Sequence, residues 1–309
     1  MPVLDPSVIS NWYKIKDEYN NFYIVQDFSM NQNSSVQNKP LVQGDIGTRI
    51  MDVGGISYTW SVSSPALVTS NDSVVVGNVL TLIKNGWANI KTGGIGAAYL
   101  LEKGAIRINK EGVDCTASFK SDNPSSFMAI YGTNDNPNYI ARVAKWYDSY
   151  FNFTFREQSS ANLAIESAEI NFDPEIGERY FVGGSQAPYF SVNSYKLSGT
   201  ITFLVPPTEF YKFRSLYQSG SSLPSGATLP SSFPGSQISG NLAGTRSFVV
   251  TGIKNANLVI GLPGTGGFNL QLGTASMTTE ITAAVRAGDI TKVTLKFVSY
   301  ANSSTNESS

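Results

Sequence analysis

The chain of 309 residues, 41% hydrophobic and only 15% charged, is long enough for one large or two ordinary folded domains and too apolar to be disordered. A net charge of −1 provides no clustered basic field for nucleic acid or an anionic membrane. With no histidine and one cysteine, the chain lacks Ser-His-Asp and Cys-His catalysis, imidazole metal ligation, an intrachain disulfide and any thiolate cluster.

Met1 to Ser10 lacks the basic start and apolar centre of a signal peptide, and no stretch approaches the ~20 apolar residues of a membrane span, so the expected site of synthesis and use is a cytosol. Residues 5–18 read as a short helix with Asp5 as N-cap, Pro6 at its first position, and Val8, Ile9, Trp12 and Ile15 on its apolar face. Phe22 to Phe28 reads as a strand, and the polar run Asn31 to Lys39 has the composition of a loop. A strand from Ile56 to Val62 and a helix from Val79 to Gly86, stopped by Asn85-Gly86, follow. Gly93-Gly94-Ile95-Gly96 has no lysine at P-loop spacing and reads as a turn. The alternation Gly112 to Phe119 places Cys115 inside as an inert thiol.

Tyr139 to Tyr147 and Tyr150 to Phe155 read as paired strands joined through Asp148-Ser149, with Phe151, Phe153 and Phe155 on one face. The densest acidic group, Asp173-Pro-Glu-Ile-Gly-Glu178, lacks calcium-loop spacing and reads as a solvated turn. A strand over Ser191 to Val205 leads into a helix over Thr208 to Gln218 that carries Phe210, Phe213, Leu216 and Tyr217 on one stripe. The Ser/Gly/Pro-rich stretch 219–244 reads as a long excursion, and Gly261 to Gly267 as a turn. Met277 to Val285 and Ile290 to Val298 form the last strand pair, with Val293, Leu295 and Phe297 facing one way and Lys292, Thr294 and Lys296 the other. The tail from Asn302 onward reads as unstructured.

Met51 to Val68 is echoed about 137 positions later by Phe190 to Val205: Ser57-Tyr58 falls on Ser194-Tyr195, Ser61 on Ser198 and Val68 on Val205. In each half that strand is followed by a helical pattern and then by a strand pair. The expectation is a mainly β chain of two tandem units, 1–158 and 159–309, each a sheet with one flanking helix.

The duplicated strand, the helix Thr208 to Gln218 and the strand pairs Tyr139 to Phe155 and Met277 to Val298 resemble the bacteriophage tail tube family. The resemblance implies tandem β-sandwich or rolled-sheet domains, each with one flanking helix, set in a ring around an inner β-barrel. It also implies a structural, non-enzymatic virion protein with no cofactor and no metal, assembled in the host bacterial cytoplasm. Its partners would be further copies of itself, in trimeric and stacked rings, and other tail or baseplate proteins; DNA passes through without specific binding. A baseplate or tail-tip hub of the same fold is the nearest alternative. A carbohydrate-binding β-sandwich, using Trp60, Trp87 and Trp146 with Tyr139, Tyr147 and Tyr150, is the alternative of another class, and a carboxylate glycosidase is a third. A lumen that releases DNA requires Lys292 and Lys296 to be paired with acidic residues or turned outward.

Overall fold

The computed structural model describes residues 13–40, 49–69, 76–94, 96–130, 141–155, 158–179, 188–206, 209, 244–250, 253–260, 268–271, 278–285 and 291–302. The first half contains β1 (Tyr13–Asp17), β2 (Phe22–Val25), β3 (Asp27–Pro40), β4 (Arg49–Pro65), β5 (Leu67–Thr69) and β6 (Val76–Asn78). It continues with α1 (Val79–Lys91), β7 (Leu100–Ile108), β8 (Val113–Ser121), β9 (Phe127–Ile130), β10 (Ala141–Val143), β11 (Ser149–Phe155) and β12 (Gln158–Ser159). The second half adds β13 (Leu163–Arg179), β14 (Tyr189–Val205), β15 (Gly244–Val250), β16 (Ile253–Ile260), β17 (Phe268–Gln271), β18 (Thr278–Val285) and β19 (Thr291–Asn302).

Two principal sheets result. The smaller has the order β6-β2-β1-β9; the larger, of 13 strands, runs β15-β18-β19-β14-β13-β7-β8-β4-β3, with β11, β12, β16 and β17 branching from β13. A two-stranded ribbon joins β10 to β5. Neither principal sheet closes on itself or curls strongly, which corrects the expectation of rolled-sheet domains around an inner β-barrel. The physical reason lies at the junction of the halves. β7 pairs antiparallel with β13, so the sheet extends laterally and its outermost strands, β3 and β15, stand at opposite ends instead of meeting as barrel closure requires.

The doubling is visible in the strand order. β3-β4-β8-β7 in the first half matches β13-β14-β19-β18 in the second, and the shift of 137 places buried Trp60 on buried Leu197. Each leading hairpin also carries a register shift near the same place, between Ser34 and Val36 in one and between Glu175 and Ile176 in the other.

α1 and the smaller sheet cover one face of the larger sheet. Asn78 caps α1: its side-chain oxygen accepts from the Thr81 N–H at 3.2 Å, and its own N–H donates to the Thr81 hydroxyl at 3.4 Å. The helix runs through Asn85-Gly86, against expectation. Gly86 lies on the buried face, where a Cβ would stand 3.0 Å from both Leu101 and Phe119, so the glycine permits close helix–sheet approach instead of ending the helix. The stop comes at Gly93 and Gly94, whose φ values of 81° and 72° are left-handed. Trp60 links the two sheets, stacked on Phe28 at 5.4 Å and edge-on to Phe127 at 5.7 Å.

Several local expectations change. Tyr13 to Asp17, the end of the expected N-terminal helix, is strand, with Ile15 and Asp17 buried between half-buried Lys14 and Lys16; the start of that helix lies outside the described residues. The polar run from Asn31 to Lys39 is strand, because on an edge the ladder with β4 is made while the side chains of Asn31 to Ser34 stay exposed. Asp173 to Glu178 is strand as well; Pro174 is tolerated because the β7 ladder ends at Phe172, leaving no acceptor that its missing N–H would have served. The Tyr139 to Phe155 hairpin does not form. Ala141–Val143 pairs with β5, a 3-10 turn at Trp146–Asp148 redirects the chain, and β11 pairs with β12, β13 and β16. The Met277 to Val298 hairpin does form, with Val293, Leu295 and Phe297 buried as the alternation requires. Apart from Glu209, which is helical, the expected Thr208 to Gln218 helix lies outside the described residues; so do 219–243, 261–267 and 303–309.

Gly199, in the middle of β14, faces Ile170 of β13 within the leading hairpin of the second repeat. A Cβ there would collide with the backbone carbonyl of Glu169 and stand 3.0 Å from the Ile170 side chain. Gly199→Ala is expected to destabilise the protein by about 3 kcal/mol. Gly104→Ala, whose new Cβ would meet Phe172 at 3.4 Å, is expected to stay within about 1 kcal/mol of wild type. Urea midpoints of the two variants check the contrast.

Candidate functional site

The far face of the large sheet, opposite α1, is polar across both repeats. One cross-strand row reads Asp27, Ser63, Thr116, Ala105, Asn171, Ser198, and the next reads Asp114, Arg107, Glu169, Thr200, Lys296, Glu280. The first row crosses a shallow depression of about 640 Å³, lined by Asp27, Ser63, Lys103, Thr116, Asn171 and Ser198 among others. Such a depression offers hydroxyls and amides without an enclosed apolar pocket for a small ligand.

Several charges on the sheet are paired with opposite ones. The Arg107 guanidinium meets Glu169 at 3.2 Å, and Lys292 meets Glu166 at 2.6 Å. Lys120 lies 2.5 Å from Glu178 and 3.6 Å from Glu102. Burial works to lower the Lys120 pKa, but its hydrogen bond and charge interaction with Glu178, reinforced by Glu102, prevail and raise it. The exposed Arg107–Glu169 pair contributes little stability. At these three places the face sets a cation against a carboxylate. Lys292 is thus paired, and Lys296 is exposed and in register between Thr200 and Glu280.

The edges of the large sheet differ in character. β3 has β4 on one side and, among the described residues, no strand on the other. Met30 on β3 is 45% exposed, whereas Phe172, at the matching place on β13, is 1% exposed. At the opposite end β15 covers β18.

One polar cluster is buried and gave no sequence signal, because its members meet only once β1, β2 and β7 are placed. Asp17 accepts hydrogen bonds from the hydroxyls of Tyr23 at 2.9 Å and Tyr99 at 3.0 Å, and from the backbone and side-chain N–H groups of Asn21 at 2.8 and 3.0 Å. Burial, then the charge of Asp17 and its hydrogen bond, push the Tyr23 hydroxyl up to about 12; Tyr99 is raised in the same direction, chiefly by burial. The folded state therefore favours neutral tyrosines, and this contribution is complete below the unfolded value near 10. Unfolding midpoints are expected to be insensitive to these groups up to about pH 9 and to fall from about pH 10 toward 12, less steeply in Tyr99→Phe. A pH series of urea unfolding curves reads this directly.

The residues considered for chemistry do not converge. Glu178 is tied to Lys120, and Glu175 accepts from the Ser194 hydroxyl at 2.8 Å. Among the described residues no group of three or more potential metal ligands occurs, and no helix is long and apolar enough to cross a membrane. Cys115 is buried, with its thiol pushed up by desolvation and then by Asp114, in keeping with an inert core residue. Of the aromatic residues that could line a sugar-binding face, Trp60 and Trp87 are buried in the core; Tyr139 lies outside the described residues. No protein-family model matches the chain, and no curated protein matches it.

Proposed function

We propose that this chain is a structural protein that assembles with copies of itself, and that its setting is the bacteriophage tail tube, a stack of rings through which DNA is ejected, with three doubled chains to a ring. The observation that carries the reading is the β7–β13 junction, where one repeat joins the next edge to edge and head to tail. A heterologous contact of that kind, repeated between chains, closes into a ring or continues as a filament. The polar, charge-matched far face supports the same reading, since a wall passed by DNA must not neutralise many phosphates at once. The carbohydrate-binding alternative loses Trp87 and Trp60 to the core.

Electron microscopy of the purified protein, with its solution mass, tests the proposal. Stacked hollow rings support a tube, and isolated single rings support the hub alternative. A monomer that stays featureless at high concentration overturns both.

A further inference from the structure

We infer that the outer edge of β18 is the docking edge for β3 of a second copy, in the register by which β7 receives β13, and that β15 is a displaceable strand holding that edge beforehand. The inference rests on the assembly reading above and deepens it by naming which strands meet, in which register, and which strand must leave.

The equivalence of the edges follows from the ladders. Ser61 faces Ser118 while Ser198 faces Val298, which aligns β8 with β19; Cys115 then faces Ile106 as Leu295 faces Ile281, which aligns β7 with β18. In the same way Ser29 faces Ser61 as Asn171 faces Ser198, so β3 is the counterpart of β13. The internal junction pairs Arg107 with Glu169, Ile106 with Ile170, Ala105 with Asn171 and Gly104 with Phe172. Carried to the chain ends, it pairs Thr282 with Asp27, Ile281 with Phe28, Glu280 with Ser29 and Thr279 with Met30 of the next copy.

The side chains of β3 match that assignment. Ile170 and Phe172 of β13 are 0% and 1% exposed beneath the junction, whereas Phe28 is only half-buried and Met30 is 45% exposed. The β3 edge therefore shows the incompletely buried apolar side chains expected of the same surface lacking its neighbour.

β15 already occupies the place on β18. It runs antiparallel to β18, as β13 does to β7, setting Phe248 opposite Ile281, Ser247 opposite Thr282 and Val249 opposite Glu280. Phe248 thus stands where Phe28 of a second copy would stand. Docking on the outer side of β15 would insert a strand that the internal junction lacks, so reproducing that junction requires β15 to leave. A covered edge on the free chain also guards against indiscriminate pairing.

Two cysteine pairs test this, with buried Cys115 left in place. Ser29→Cys with Glu280→Cys is expected to give a ladder of covalent dimers and larger species on mild oxidation, and Ser29→Cys with Ala284→Cys, out of register, is expected to give at least tenfold less. Val249→Cys with Glu280→Cys is expected to close within one chain, keep the oxidised protein monomeric, and restore assembly on reduction; the reduced variants, with wild-type circular dichroism, control for folding. Normal assembly of the oxidised Val249/Glu280 variant, or equal cross-linking of the two Ser29 pairs, overturns the strand exchange while leaving the assembly reading standing. Failure of the wild-type chain to assemble at any concentration overturns the assembly reading, and this inference with it.

Discussion

Trp87→Ala is expected to lower the stability of the whole protein by about 3–5 kcal/mol and to leave a single unfolding transition. Trp87 projects from α1, in the first half of the chain, onto strands of the second: its ring is edge-on to Phe172 of β13 at 5.1 Å and to Tyr195 of β14 at 5.2 Å, and it is 5% exposed. The helix therefore clamps the β7–β13 junction from above, and loss of the indole opens a cavity beneath it. Trp87→Phe keeps part of the edge contact and is expected to cost roughly half as much. Urea unfolding followed by circular dichroism and by tryptophan fluorescence measures the size of the effect, and coincidence of the two curves tests whether the halves unfold together. Two separated transitions would sink the clamp. The same result bears on sugar binding: any binding lost in Trp87→Ala alongside the expected destabilisation reports damage to the core, not removal of a surface platform.

The mainly β character, the inward set of the last strand pair and the buried Cys115 were legible because each rests on period-two alternation, which one-sided burial enforces. Of the repeat, only the echo of the central strand was legible, because both copies must alternate in step to face the core; the counterpart of the last strand pair is β7 with β8, not Tyr139 to Phe155. Misreadings fell where lateral pairing overrode local composition. Asn31 to Lys39 has loop composition but lies in an edge ladder, and Asp173-Pro174 has turn chemistry but sits in a strand beyond the end of its neighbour. Asn85-Gly86 stops many helices, yet here a glycine on the buried face lets α1 continue across the sheet. The open sheet itself was not readable, since whether β7 turns back to close a barrel or continues into β13 depends on a pairing between residues about 60 positions apart, such as Arg107 with Glu169. The polar far face was half legible: Lys292, Thr294 and Lys296 share a side in the sequence, but Glu166 as the partner of Lys292 appears only once β13, β14 and β19 lie side by side.

Asp17→Ala is the second large effect, expected to cost about 3–4 kcal/mol. Hydrogen bonds to a charged acceptor contribute about 1.5–3 kcal/mol each, and removing the carboxylate takes that acceptor from two buried hydroxyls at once. Asp17 is 2% exposed and Tyr23 and Tyr99 are 1% and 2% exposed, so water does not readily replace the lost acceptor. The turn between β1 and β2 loosens as well, because Asn21 donates to the same carboxylate through both its backbone and its side chain. A double-mutant cycle separates the hydrogen bonds from the packing. In the wild-type background Tyr23→Phe removes a bond to Asp17 and is expected to be destabilising by about 1.5–3 kcal/mol. In the Asp17→Ala background that bond is already gone, so the same change should cost clearly less. Equal costs in both backgrounds would show that the tyrosine hydroxyl gains nothing from Asp17.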